Sequence, residues 1–204
     1  MKKLLLVSVF TGALFTSPVF AQVQSFGGFS VGANLDLTGT NTESTIGALA
    51  INSVGQSSCG GSVQAAFGYA ATDSVLLSVG ATYSLSEIPA LSLASTTGSA
   101  KLKLKDAYTV YLEPAYLLSE KTLAYAKIGY EAGTMNAEAT GIANSKKDIS
   151  GLGIGLGLRT LLSKNLYLQA EARRVTYNSA RFDNDTTDFK GSMTVGSVGV
   201  GYKF

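Results

Sequence analysis

The chain has no histidine, one cysteine and three prolines in 204 residues, and only 15% of its residues are charged. Without histidine, the usual general base for an activated serine is missing. Cys59, being alone, excludes an intramolecular disulfide; it reads as an unpaired small residue at a loop end, with an intermolecular disulfide as the alternative. Low charge with so little proline excludes a disordered chain, and 23 glycines set it apart from an average soluble domain. After Ala21 no apolar run approaches the roughly 18 to 20 residues that a transmembrane helix needs. Entry into a membrane would therefore require a closed barrel, because lipid cannot satisfy an open sheet edge.

The N-terminus does carry a short apolar run. Lys2 and Lys3 precede Leu4 to Phe15, and Ser17, Pro18, Val19, Phe20 and Ala21 follow. This is the pattern of a secretory signal peptide, with cleavage expected after Ala21 and one domain spanning residues 22–204. Residue 22 is Gln rather than Cys, which argues against a lipoprotein anchor. Loss of Lys2 and Lys3 takes the formal charge from +2 to zero, so nothing draws the mature chain to nucleic acid.

Beyond residue 21 the chain alternates. In the last stretch, Gly191 to Phe204, Thr194, Val198, Val200, Tyr202 and Phe204 share one parity, and Ser197, Gly199, Gly201 and Lys203 the other. Such a strand has one oily face and one small or polar face. The same pattern predicts strands over 26–37, 60–71, 74–85, 106–117, 122–135, 151–162 and 165–177, eight in all. Short turns at 72–73, 118–121 and 163–164 alternate with long loops at 38–59, 86–105, 136–150 and 178–190. Pro114, deep in the fourth strand, suggests a bulge or a break in the ladder. The glycines of 151–157 recur at period two, do not match G-x-G-x-x-G and have no helical pattern after them, which favours a strand over a nucleotide loop.

With the short turns placed at one end, outward Phe29, Tyr69, Tyr116, Tyr202 and Phe204 ring that rim, and Tyr83, Tyr108 and Tyr130 ring the other. Two aromatic girdles suit two lipid interfaces, whereas a soluble barrel reverses the alternation and keeps its oil inside. The inward set contains Glu113, Glu131 and Glu171 with Lys127, Arg159 and Arg173. Balanced signs in a narrow, low-dielectric lumen predict an ion-pair network that plugs the barrel, with the inward glycines of the strands at 151–162 and 191–204 making room for long side chains such as Arg173 and Tyr111.

The strand count, the leader, the ending on Tyr202 and Phe204, and the run Y-L-E-P-A-Y-L-L-S-E-K-T-L-A-Y-A-K-I-G-Y from Tyr111 to Tyr130 together resemble small outer-membrane β-barrels of the opacity, OmpA and OmpX type. The resemblance covers essentially the whole mature chain. It implies an all-β, eight-stranded antiparallel up-and-down barrel in a Gram-negative outer membrane, embedded among lipid and lipopolysaccharide. It also implies that Tyr202 and Phe204 are the membrane-insertion signal read by the barrel-assembly machinery. The function it implies is structural and surface-interacting, with external loops meeting an envelope or host ligand. A small-solute channel of porin-like kind is the alternative. Barrels that act as lipid A deacylases or palmitoyl transferases use a His beside a Ser, and this chain has none, so no enzyme is expected. No cofactor or metal is expected either: Asp183, Asp185 and Asp188 lack the spacing of a complete calcium loop and read as a solvated loop. Lys101, Lys103 and Lys105 carry charge that suits lipopolysaccharide phosphates, but lysines guarding a strand edge above the membrane are the simpler account.

Overall fold

Two-residue alternation gives each strand a lipid face and a lumen face, and pairing such strands side by side buries every backbone polar group without a helix. The computed structural model describes residues 23–46, 49–95, 98–139, 142–178, 180–181 and 187–204. The expected leader, Asp183 and Asp185 lie outside these, as do the side chains of Lys101 and Asp188. A 3-10 turn, Val23–Phe26, leads into ten strands: β1 Gly28–Ile46, β2 Leu49–Ala70, β3 Val75–Ser84, β4 Ile88–Ser95, β5 Gly98–Ser119, β6 Thr122–Ala139, β7 Ile142–Leu161, β8 Leu166–Tyr177, β9 Ala180–Arg181 and β10 Thr187–Lys203. β4 pairs only with β5 and the two-residue β9 with β10; the remaining eight form the wall, which closes where β1 pairs with β10.

The register fixes the tilt. Stepping sideways from Met193 leads through Val175, Gly153, Gly129, Tyr111, Gly80, Ala66 and Ser30, and arrives on β10 again at Lys203, ten residues further along. Ten residues of offset over eight strands corresponds to a strand tilt of about 40°. The tight connections lie at the same end as Val23 and Phe204, with Phe204 N–H donating to the Phe29 carbonyl at 2.9 Å. At that rim Phe204 packs in a tilted arrangement on Phe29 and edge-to-face on Tyr202, with ring centroids 5.8 and 5.1 Å apart.

Two expectations are corrected, and a third is met in one of its two forms. The stretches read as long loops are mostly strand: β1 continues to Ile46, β2 begins at Leu49, and β5 to β7 pair to Ala139 and Ile142. Above the membrane both faces of a strand meet water, so the apolar alternation fades while Thr and Ser still favour extended backbone. Cys59 is accordingly not at a loop end. It lies within β2 opposite Leu37, exposed and free. Pro114, lacking an N–H, interrupts the ladder toward β6 between Leu112 and Ala115, but the register on either side is unchanged and there is no bulge there. The bulge comes instead between Lys105 and Tyr108, where Asp106 takes φ 52°. That extra residue turns Leu104 and Ala107 both inward.

Candidate functional site

The inside of the barrel has three layers. At the end bearing the termini, Val23 and Phe26 of the 3-10 turn pack against Leu76, Leu117, Leu123 and Leu161 and stopper the lumen with hydrocarbon. The middle layer is polar. At the far end Leu104, Met135, Ile149, Val175, Met193 and Val195 converge, and Ile88 from β4 folds onto them. The β4–β5 hairpin is held over the mouth on its other side by the Thr40 hydroxyl, which donates to the Pro89 carbonyl at 3.3 Å.

The six charged residues assigned inward by parity all face the middle layer. Arg159 pairs with Glu113 at 2.9 Å, and Arg173 with Glu131 at 2.5 Å. Lys127 binds the Glu171 carboxylate and lies 3.8 Å from Glu113, while Arg173 lies 3.8 Å from Glu171, so the three acids and three bases form one chain of contacts. Glu113 is 0% exposed, and Lys127 and Arg159 5% each, which leaves water little part in balancing them. Neutral groups add two hydrogen bonds to this chain. The Tyr125 hydroxyl donates to Glu171 at 3.1 Å and Arg173 donates to the Thr109 hydroxyl at 2.9 Å. Aromatic faces hold the cations: Lys127 Nζ sits 4.2 Å from the Tyr111 ring centre, and the Arg159 guanidinium about equally over Tyr125 and Tyr167, at 5.1 and 5.0 Å.

Sequence parity did not reveal a second, uncharged cluster beside it. Gln169 Nε2 donates to Asn34 at 2.8 Å and to Gln64 at 3.0 Å, and Gln64 Nε2 donates back to Gln169 at 3.0 Å. Arg159 donates to the same Gln169 oxygen, which couples the amides to the ion pairs. Inward amides are a weak sequence signal, because β1, β2 and β8 meet only once the barrel closes. The glycines do leave room for long side chains, though with different partners from those expected for Tyr111. A Cβ on Gly80 of β3 would stand 2.6 Å from the Tyr111 ring, Gly157 and Gly201 seat Tyr125 and Tyr167 in the same way, and Gly155 faces Arg173.

Little space is left. A cavity of about 40 Å³, room for about three waters, lies beside the upper apolar layer between Thr38, Ser62, Glu131 and Arg173. Outside, the wall is apolar: Leu35, Phe67, Leu112, Ile154, Leu156 and Val198 are exposed, as are the aromatic residues of both rims. Among the described residues no group of acids, Cys and His is placed to hold a metal. Lys103 and Lys105, the two described members of the lysine ladder, both pair with Glu87 at the top of the barrel. Arg174 is a further charge, of the opposite parity to Arg173. It shares parity with Leu166, Leu168, Ala170 and Ala172, and its side chain lies exposed on the outer wall.

A closed eight-stranded sheet that is greasy outside and ion-paired inside is a transmembrane β-barrel. The family model for the outer membrane protein beta-barrel domain matches residues 7–204, and the chain belongs to that family. No curated protein matches it. Among solved structures it resembles Ail, the attachment invasion locus protein of Yersinia pestis, at 13% identity and TM-score 0.50 over 87% of this chain and 99% of that one. It also resembles OprG from Pseudomonas aeruginosa, at 12% identity and TM-score 0.48 over 87% and 96%. A third is the outer membrane protease OmpT from Escherichia coli, at 7% identity and TM-score 0.48 over 86% and 97%. At these identities the likeness shows the fold alone, and a fold by itself does not choose a function.

Proposed function

We propose that the protein is a non-enzymatic outer-membrane scaffold whose external hairpins contact partners outside the cell. The observation that carries this reading is the contrast between the two parts of the barrel. The lumen is filled by ion pairs and stoppered at both ends, while β1–β2, β5–β6 and β6–β7 continue well past the upper girdle of Tyr83, Tyr108 and Tyr130. A rigid wall carrying long exposed hairpins suits recognition, because variable chemistry can sit at their tips without disturbing the fold. In this reading the six lumen charges act structurally, Tyr202 and Phe204 present the last strand to the assembly machinery, and a leader cleaved after Ala21 delivers the chain to the envelope.

Shortening the hairpin tips around residues 47–48 and 140–141 in the refolded mature protein should abolish capture of envelope or host-surface components. Heat-modifiable migration on a gel, the mark of an intact barrel, should persist. Capture that survives both deletions would overturn the interaction role. The channel reading is tested in planar bilayers: reproducible openings that change when Arg159 or Glu171 is neutralised would replace the scaffold with a pore.

A further inference from the structure

Asp36 is a charge that the ion-pair chain of the lumen leaves out. Its parity turns it inward from β1, and its neighbours across the ladder are Gly60 and Ser197, neither of them positive. Among the described residues none makes an ion pair or a side-chain hydrogen bond with its carboxylate. The side chain is partly buried, and a carboxylate drawn out of water without a partner is costly until a cation meets it.

The register sets Asp36 across the lumen from Glu131. Glu131 shares a row with Thr109, Thr82, Gln64 and Gly32, four strand steps from β6 to β1 and half the circuit. That row falls about 3 Å per step, and Asp36 regains about 10 Å by standing four residues above Gly32, so the two acids face each other at nearly one level. Between them lies the cavity of about 40 Å³, walled by the hydroxyls of Thr38, Ser62, Ser84 and Thr109. Of the other acids lining it, Glu131 is balanced by Arg173, and Glu87 by Lys103 and Lys105. Glu131 is 3% exposed, and its Oε1 accepts no hydrogen bond, which leaves acceptor capacity beside the same space. The cavity also has a side entrance. β2 pairs with β3 only as far as Ser62 and Ser84, the Leu85 N–H donates to the Gly61 carbonyl at 2.8 Å, and above that no ladder joins β2 to β4. Ser58, Gly60 and Ser86 line the cavity at this break, where a Cβ on Gly60 would stand 3.0 Å from that of Ser86.

We propose that this cavity binds one alkali metal ion of about sodium size, held by the Asp36 carboxylate with the hydroxyl oxygens of Ser84 and Thr38 and with water. The Ser84 hydroxyl donates its proton to the Ser86 carbonyl at 3.1 Å, which leaves its lone pairs free for a cation. One uncompensated negative charge calls for one positive charge. Calcium or magnesium would overcharge the cavity and would need more carboxylate oxygens than Asp36 brings, whereas neutral oxygens beside a single carboxylate suit a monovalent ion. The site is independent of what the hairpin tips bind.

The test uses the refolded mature barrel in zwitterionic micelles, with sodium chloride replacing tetramethylammonium chloride at constant ionic strength and backbone NMR as the readout. Saturable shifts at Asp36, Thr38 and Ser84 are expected, with affinity weakened about tenfold or more by Asp36→Asn. Sodium should also raise the urea midpoint of the wild-type barrel and leave that of Asp36→Asn unmoved, since only a bound ion stabilises by mass action. Unchanged heat-modifiable migration verifies the fold of the variant. Shifts that grow linearly with sodium, or that persist in Asp36→Asn, would reduce the effect to screening and reject the site. Tighter binding of calcium would refute the charge argument, and tighter binding of methylammonium would replace the alkali ion with a primary amine.

Discussion

Gly157 and Gly39 are both strand glycines, but they face opposite sides of the wall. A Cβ on Gly157 would overlap the Tyr125 ring and come within 2.7 Å of the Ala170 carbonyl, whereas one on Gly39 would meet nothing within 4 Å. Gly157→Ala should cost about 1 to 3 kcal/mol by overpacking, and Gly39→Ala should be neutral or slightly stabilising, as read from urea unfolding in micelles. The ion pairs allow a sharper measurement. Glu113→Gln strands the buried Arg159 guanidinium and should cost about 3 to 5 kcal/mol, while Glu113→Gln with Arg159→Met should recover much of that loss. A double variant no better than the single one would show that packing, not charge, holds the middle layer. Tyr111 supplies the control: its hydroxyl is buried without a hydrogen-bond partner, so Tyr111→Phe should be neutral or stabilising.

The β4–β5 hairpin is the element whose position depends on exposed electrostatics. Hydrogen bonds from Lys105, then from Lys103, hold the Glu87 carboxyl below its ordinary value. A carboxylate with a lowered folded value stabilises above the unfolded value and loses that contribution as pH falls through the folded one. Below about pH 4 the hairpin should therefore loosen over the mouth. The backbone NMR signals of Ile88 and Ala90 should move toward exposed-loop positions there, while those of the wall strands stay fixed. Glu87→Gln should produce the loosened signals at neutral pH, and a hairpin unmoved by either change would mean that Ile88 and its apolar neighbours suffice to anchor it.

For the molecule as a whole, closure and filling are linked. Eight strands offset by ten residues enclose a lumen that its own side chains occupy, so the wild-type barrel should be silent in planar bilayers. Removing Phe204 deletes the ring that packs on Phe29 and Tyr202 and the N–H that bonds to the Phe29 carbonyl, next to the seam where β1 meets β10. The truncated chain should assemble more slowly into lipid vesicles, as followed by heat-modifiable migration, because the closing pair is the last to form and has the longest sequence separation. Assembly at the wild-type rate would assign that rim residue no part in closure.

Much was legible in the residues alone. Alternation over about twelve residues reads directly as a two-faced strand, and it placed Glu113, Lys127, Glu131, Arg159, Glu171 and Arg173 on the inner face, because side-chain direction in a strand is set by parity. The same parity puts Arg174 on the outer wall and Arg173 inside, though the two adjacent arginines look alike in sequence. Tertiary structure decided what parity leaves open. The ten-residue offset is fixed only when β1 finds β10, and it is this closure that brings Asn34 and Gln64 to Gln169, while the β3–β5 register sets Tyr111 over Gly80. Strand continuation beyond the membrane, the Asp106 bulge and the inward fold of Ile88 were likewise invisible, since in water neither face of a strand must be apolar and local pattern no longer reports pairing.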